Sequence, residues 1–299
     1  MTLDVFLLGG TGSIGTGLVT ELVARGHRVT ALSRSAASDH RLQAMGAQVL
    51  RGDMMDPAHW MPAALSHDAF VQAAATFGDD MAEADNRVVS QLLADAERTG
   101  PKLRVLYTGG CWLYGDTGGN TATETSAFDP LPAFAWMVHH AQRLLQASHL
   151  SVAVIHPAMV YHLDGGGVFE RFRDAARSHD PVEIWGKPNT RWPLIERHDL
   201  ARAYCDLLVC PDLRGHFNAV AQQGVRVGDI ANTITHFYAS QSSTVVRSVA
   251  DVMQAHGAWA KGPTLDQSLS SAKLQTATRW HPRFTKFQAA LNLHTVKAS

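Results

Sequence analysis

Cysteine is scarce: Cys111, Cys205 and Cys210 are the three in 299 residues. They are not spaced as metal ligands, and so thin a supply excludes a disulfide framework and fits a reducing cytoplasm. No run of 18 apolar residues occurs, which excludes a membrane-spanning helix. Strand character starts at Leu3, so no signal peptide is expected. A net charge of −1 leaves no basic excess for nucleic acid or an anionic membrane. The sixteen histidines are dispersed without a His-Glu-x-x-His pair, and no metal is expected. There is also no internal repeat and no low-complexity segment.

What is present is enough apolar residue, 45% of the chain, for a large core. Residues 3–15, LDVFLLGGTGSIG, carry the most information. The apolar run Leu3–Leu8 has strand character and meets Gly9, Gly10, Gly12 and Gly15, after which Ile14–Arg25 reads as a helix closed by Gly26. Glycines in a strand-to-helix turn let the backbone approach a ligand, and N–H groups at a helix N-terminus favour a pyrophosphate. This predicts a dinucleotide site at Gly9, Thr11, Gly12, Ser13, Ile14 and Gly15.

Apolar strands alternate with amphipathic helices down to residue 155, which implies parallel strands with helices on both faces. Strands are expected at 28–32, 48–50, 69–73, 103–107 and 152–155. Helices are expected at 39–45, after Asp56-Pro57, at 81–98 and at 133–148. Past Pro157 the regularity fades: helices at 169–178, 199–209 and 227–238 accompany strands at 182–185 and 216–220, and Asp199 reads as a helix N-cap. The fold class is α/β, a Rossmann-type doubly wound parallel sheet with a smaller C-terminal substrate lobe. The dinucleotide domain takes 1–160, completed by about 196–221, and the lobe takes 161–195 and 222–299. The cleft between them is the expected substrate site.

Motifs in this order resemble the extended short-chain dehydrogenase/reductase family, the sugar epimerases and dehydratases. They are GGTGSIG (9–15), GDMMD (52–56), VQAAA (71–75), Asn86, YTGGCWLYG (107–115), HPAMVY (156–161), WPLIERHDLARAY (192–204) and SAKLQTATRWHPRF (271–284). The resemblance implies an adenine contact at Asp53 with Met54, a cofactor path past Ala73, Ala74, Ala75 and Thr108, and Pro157 against the nicotinamide ribose. It also implies a homodimer through 82–98 and 133–148. The second strand ends in Ser33, Arg34 and Ser35 where NAD users carry an acid for the ribose 2′-hydroxyl, and a guanidinium flanked by hydroxyls suits a 2′-phosphate, hence NADP(H).

The family's proton-transfer residues are a Ser or Thr in the strand-loop motif and a Tyr-x-x-x-Lys pair on the next helix. Those positions fall on Gly110, Phe134 and Val138, and no Tyr or Lys lies between Asp116 and Tyr161. Tyr161, on the turn that flanks nicotinamide, and His139, beside the vacated lysine, are the substitute donors. Cys111, Trp112, Tyr114, Phe134 and Trp136 should line an aromatic, apolar substrate pocket. Two functions stand: an NADP(H)-dependent reductase of a small, fairly apolar substrate, or a catalytically silent NADP(H)-binding sensor or regulator.

Overall fold

Runs such as VFLL at Val5–Leu8, buried throughout, suit parallel strands covered on both faces. The computed structural model describes residues 2–75, 78–97, 103–162 and 166–298. Its first part comprises β1 (Asp4–Leu8), α1 (Ser13–Ala24), β2 (Arg28–Ser33), α2 (Ala36–Ala44), β3 (Gln48–Arg51), α3 (Met61–Ala64), β4 (Ala69–Gln72), α4 (Met81–Ala96), β5 (Leu103–Thr108), α5 (Ala135–Gln146) and β6 (Leu150–Pro157). Then come β7 (Met159–Tyr161), α6 (Glu170–Ser178), β8 (Val182–Trp185), β9 (Arg191–Glu196), α7 (Arg197–Leu208), β10 (Gly215–Ala219), β11 (Gln222–Arg226), α8 (Val227–Phe237), β12 (Thr244–Arg247), α9 (Val249–His256), α10 (Ala272–Thr278) and α11 (Phe287–Ala298).

Seven strands form one parallel sheet in the order β10-β6-β5-β4-β1-β2-β3. One face packs Val5 and Leu7 against Leu18 and Leu22 of α1 and Leu200 and Leu207 of α7. The other packs Phe6, Leu8, Val105 and Val154 against Val88 and Leu92 of α4 and Ala141 and Leu144 of α5. From β1 the chain first builds outward to β2 and β3, then returns to β4 on the other side. That reversal opens a crevice at the strand carboxyl ends, the usual ligand position in such sheets. The sheet is the one expected, with β10 joining after a long excursion. Outside it lie a three-stranded sheet, β11-β9-β7, and a parallel pair, β12-β8. Strands β7, β9, β11 and β12 were not foreseen, since three to six residues give little periodicity. The long helix ends at Ala96, and its expected end at Arg98 lies outside the described residues.

Asp199 is not the N-cap of α7. Glu196 caps it, its carboxylate accepting from the backbone N–H of His198 at 2.6 Å and of Asp199 at 3.1 Å. Asp199, 1% exposed, instead accepts from the backbone N–H of Arg283 and Phe284, both at 2.9 Å, and from Arg202 Nη1 at 2.7 Å. The Trp280 indole donates to its carbonyl at 3.0 Å. One carboxylate therefore ties segment 280–284 to α7. Asp199→Ala would leave three donors without an acceptor, a loss of about 3 kcal/mol. Urea unfolding should show it, and a loss below about 1 kcal/mol would refute the tether.

Candidate functional site

The crevice begins at the glycine loop. Gly9 has φ +83°, and a Cβ there would lie 2.7 Å from the backbone of Ala73 and Ala74. A Cβ at Gly15 would lie 1.9 Å from the Gly9 carbonyl oxygen. These contacts seat α1 tightly under the end of β1, and Gly12 N donates to that same carbonyl at 2.9 Å. A Cβ at Gly12 would meet only this oxygen, at 3.3 Å, so its other side is open. The first turn of α1 has no side-chain cap and no acidic residue, leaving its positive end for an anion. This cradle fits a dinucleotide pyrophosphate. Thr11, Ser13 and Ile14 stand on this loop and the first turn of α1.

At the ends of β2 and β3, Ser33, Arg34, Arg51, Gly52 and Asp53 line an open groove. Arg34 is exposed, with Nη1 4.0 Å from the Asp53 carboxylate. Asp53 also accepts from Met55 N at 2.9 Å, and Met54 packs inward beside it. Ser35 caps α2, accepting from Ser38 N at 3.2 Å, so its hydroxyl is committed locally. Two arginines went unnoticed in the sequence. Arg41 of α2 reaches back to the Thr11 carbonyl at 3.2 Å, and Arg51 pairs with Asp39 at 2.7 Å. Arg41 sits in a polar stretch with no motif to single it out, and Arg51 directly precedes the GDMMD motif without belonging to it.

At the other end, Thr108 Oγ1 donates to the Gln72 carbonyl at 2.6 Å, and the Tyr204 hydroxyl donates to Thr108 at 2.6 Å. Gln72 holds the turn that follows β4: its Oε1 accepts from Ala74 N at 2.9 Å and its Nε2 donates to Asp85 at 2.6 Å. The buried Asp85 carboxylate also accepts from the Tyr107 hydroxyl at 2.8 Å and His140 Nδ1 at 2.6 Å. Asn86, the family-like residue of this helix, accepts from Arg143 at 2.9 Å. A polar Gln72 inside an apolar strand was the available signal for this network. Ala73 and Ala74 are small where Gly9 crosses them, with Ala75 next in the chain, and Pro157 is buried at the end of β6.

The positions that the family resemblance assigns to catalysis differ in character. Gly110 has an extended backbone (φ −179°), and a Cβ there would meet nothing within 4 Å. Phe134 is buried, stacked at a tilt on Trp112 with ring centroids 5.4 Å apart, and Val138 and Met137 join the same apolar cluster. Thus Trp112 and Phe134 form an aromatic wall. The other pocket candidates, Cys111, Tyr114 and Trp136, make contacts within the protein. Cys111 is buried, which pushes its thiol to about 12. Tyr114 is buried, donating to Asn218 at 2.8 Å. Trp136 donates to the Ala133 carbonyl at 2.9 Å and lies against His140.

Neither substitute donor faces the crevice. Tyr161 is fully buried and stacked on Phe169 at 4.8 Å; burial, then Glu196 and Asp199, raise its pKa well above the usual phenol range. It has no surface from which to reach a bound substrate, because alternation along β7 turns it into the core. His139 is exposed on α5, and its neighbour His140 is the one turned inward, toward Asp85.

These elements define a nicotinamide-dinucleotide-binding protein of the Rossmann type. Residues 5–219 match the model of the NAD dependent epimerase/dehydratase family, and the chain belongs to that family of enzymes. It is 29% identical over 143 residues to a sterol-4-alpha-carboxylate 3-dehydrogenase (decarboxylating) of Dictyostelium discoideum, covering 44% of this chain and 43% of that relative, less than half its length. An uncharacterised protein of Schizosaccharomyces pombe is 24% identical over 241 residues, 77% of this chain and 79% of that protein. Among solved structures, the UDP-glucose 4-epimerase of Thermus thermophilus, complexed with NAD, superposes with a TM-score of 0.80 at 20% identity, covering 97% of each chain. The human epimerase family protein SDR39U1, with NADPH, gives 0.78 at 21% identity, covering 96% of this chain and 97% of that one. No helix among the described residues is long and apolar enough to cross a membrane.

A buried imidazole lies behind Gly110. His156 Nδ1 accepts from Gly110 N at 3.4 Å, so its Nε2–H donates to His216 Nδ1 at 2.9 Å. A Cβ at Gly109 would come within 2.4 Å of this ring. Burial first, then His216, lowers the His156 pKa from 6.5 to about 3. The folded protein keeps His156 neutral while the unfolded chain protonates below pH 6.5, so stability is present above 6.5 and is lost as pH falls toward 3. Between about pH 7.5 and 5.5 this group should cost on the order of 1 kcal/mol. Urea midpoints should fall over that range in the wild type and fall less in His156→Gln; equal falls would refute the assignment.

Proposed function

We propose that the protein is an NADP(H)-dependent reductase of a small, fairly apolar substrate, working in a reducing, cytoplasmic setting. The observation that carries the cofactor choice is the groove lined by Arg34 and Arg51, where β2 runs into Ser33 and Arg34 rather than an acid, and where the acid that also lines the groove, Asp53, follows β3 and faces the Arg34 guanidinium. The human neighbour solved with NADPH supports it. The wall of Trp112 and Phe134 supports an apolar substrate, as does the sterol named for the Dictyostelium relative.

Bound nicotinamide would supply the hydride. The chain's own residues bind and orient: the cradle at Gly9–Gly15 for the pyrophosphate, Arg34 for the 2′-phosphate, Thr108 and the Gln72-held turn at the nicotinamide end, and Trp112 with Phe134 for the substrate. With Phe134 and Val138 at the usual Tyr and Lys positions, rate enhancement comes from positioning. With Tyr161 enclosed and His139 on the outer surface of α5, water supplies the proton.

Arg34→Ala should raise the NADPH dissociation constant by about tenfold or more, the worth of one charge-assisted phosphate contact, and leave that of NADH nearly unchanged. Fluorescence titration measures both, and equal wild-type affinity for NADH and NADPH would refute the preference. Stopped-flow oxidation of NADPH against carbonyl, imine and activated-alkene acceptors tests the chemistry. Turnover with an apolar acceptor is expected. Tight NADPH binding with no acceptor consumed would point instead to a catalytically silent sensor.

A further inference from the structure

One side chain from beyond the dinucleotide half reaches the glycine loop. His162, which follows β7, places Nε2 3.0 Å from the Oγ of Ser13, the first residue of α1. The imidazole is 3% exposed and is held by a turn shaped around it. Gly166 and Gly167 have φ +83° and +74°, and a Cβ at either would come within 3.1 Å of the ring, at Gly167 as close as 2.9 Å. The turn is itself fixed: Gly166 N donates to the Glu170 carboxylate at 2.9 Å and Val168 N to the Val160 carbonyl at 3.0 Å. Arg173 Nη1 donates to the His162 carbonyl at 3.3 Å. So the ring has little freedom, and its edge is aimed at Ser13.

We infer that His162 is a positioning residue for the dinucleotide pyrophosphate, acting through Ser13. The inference rests on the glycine loop holding a dinucleotide. A phosphate accepts hydrogen bonds, so Ser13 serves it only with its proton turned outward. If His162 Nε2 were the acceptor, that proton would be spent on the ring. With the proton on Nε2, the ring donates to Ser13 Oγ and the serine proton is left for a phosphate oxygen. The hydrogen bond is also polarised along the pair.

The test is NADPH titration by fluorescence on the full chain, with adenosine 2′-monophosphate as a second probe that lacks the pyrophosphate. His162→Ala should weaken NADPH about five- to tenfold, the range of one ordinary hydrogen bond, and leave adenosine 2′-monophosphate within about twofold. His162→Gln, which retains a donor near the Nε2 position, should recover most of the loss. Ser13→Ala should weaken NADPH similarly, and adding His162→Ala to it should change nothing further, because the histidine acts only through the serine. Thermal unfolding confirms that each variant is folded. NADPH affinity within about twofold of wild type in His162→Ala would overturn the inference, as would equal losses for both probes or losses that multiply in the double variant. A wild type that binds neither probe overturns the dinucleotide reading itself, and the inference with it.

Discussion

The cofactor face depends on Gly9 having no side chain. Its positive φ turns the chain at the end of β1, and the turn brings its backbone against Ala73 and Ala74 and its carbonyl against Gly15. A β-carbon at Gly9 or Gly15 would separate the strand ends from α1. The loop could then neither present the helix N-terminus nor stay beside the end of β4. Gly12 is different. Nothing but one carbonyl crowds it from the protein side, so its lack of a side chain serves what enters from the crevice.

The far end of the crevice is organised by a single carboxylate. Asp85 is buried and accepts from Gln72, Tyr107 and His140, which belong to β4, β5 and α5. An ionised carboxylate in the core is tolerated only when its lone pairs are so occupied. Satisfying it fixes α4 against the sheet and sets the Gln72 side chain that grips Ala74. The turn past which the nicotinamide would run is therefore held from behind by helices that never touch it. Thr108 adds the second hold, with Tyr204 of α7 reaching through from the opposite face of the sheet.

The large sheet was legible because it is made of long repeats of one pattern, and the glycine loop because its spacing has a mechanical meaning. Arg34 was legible from its place after β2. What escaped depends on distance along the chain. His162 meets Ser13 across 149 residues, and Asp199 meets Arg283 across 84, so no local pattern announces either. The same limit misplaced Tyr161. The turn it occupies was identified, but the three-residue strand that points it inward has no periodicity to read. Between His139 and His140, adjacent in sequence, only the packing of α5 on α4 decides which is buried.

The three positions that the family resemblance assigns to proton transfer differ in their surroundings. The serine position, Gly110, is an empty place: extended backbone, open space, and a neutral imidazole behind it. A hydroxyl returned there would strain nothing. The residues aligned with the tyrosine and lysine, Phe134 and Val138, lie in one apolar cluster. Phe134 is closed against Trp112, and Gly262 backs the same indole so nearly that a Cβ there would sit 2.5 Å from it. An ammonium placed at Val138 would enter this apolar cluster without a prepared partner, and would lose its proton or pull the wall apart. The glycine cradle therefore shares the molecule with an apolar wall in which neither Phe134 nor Val138 has a proton to give.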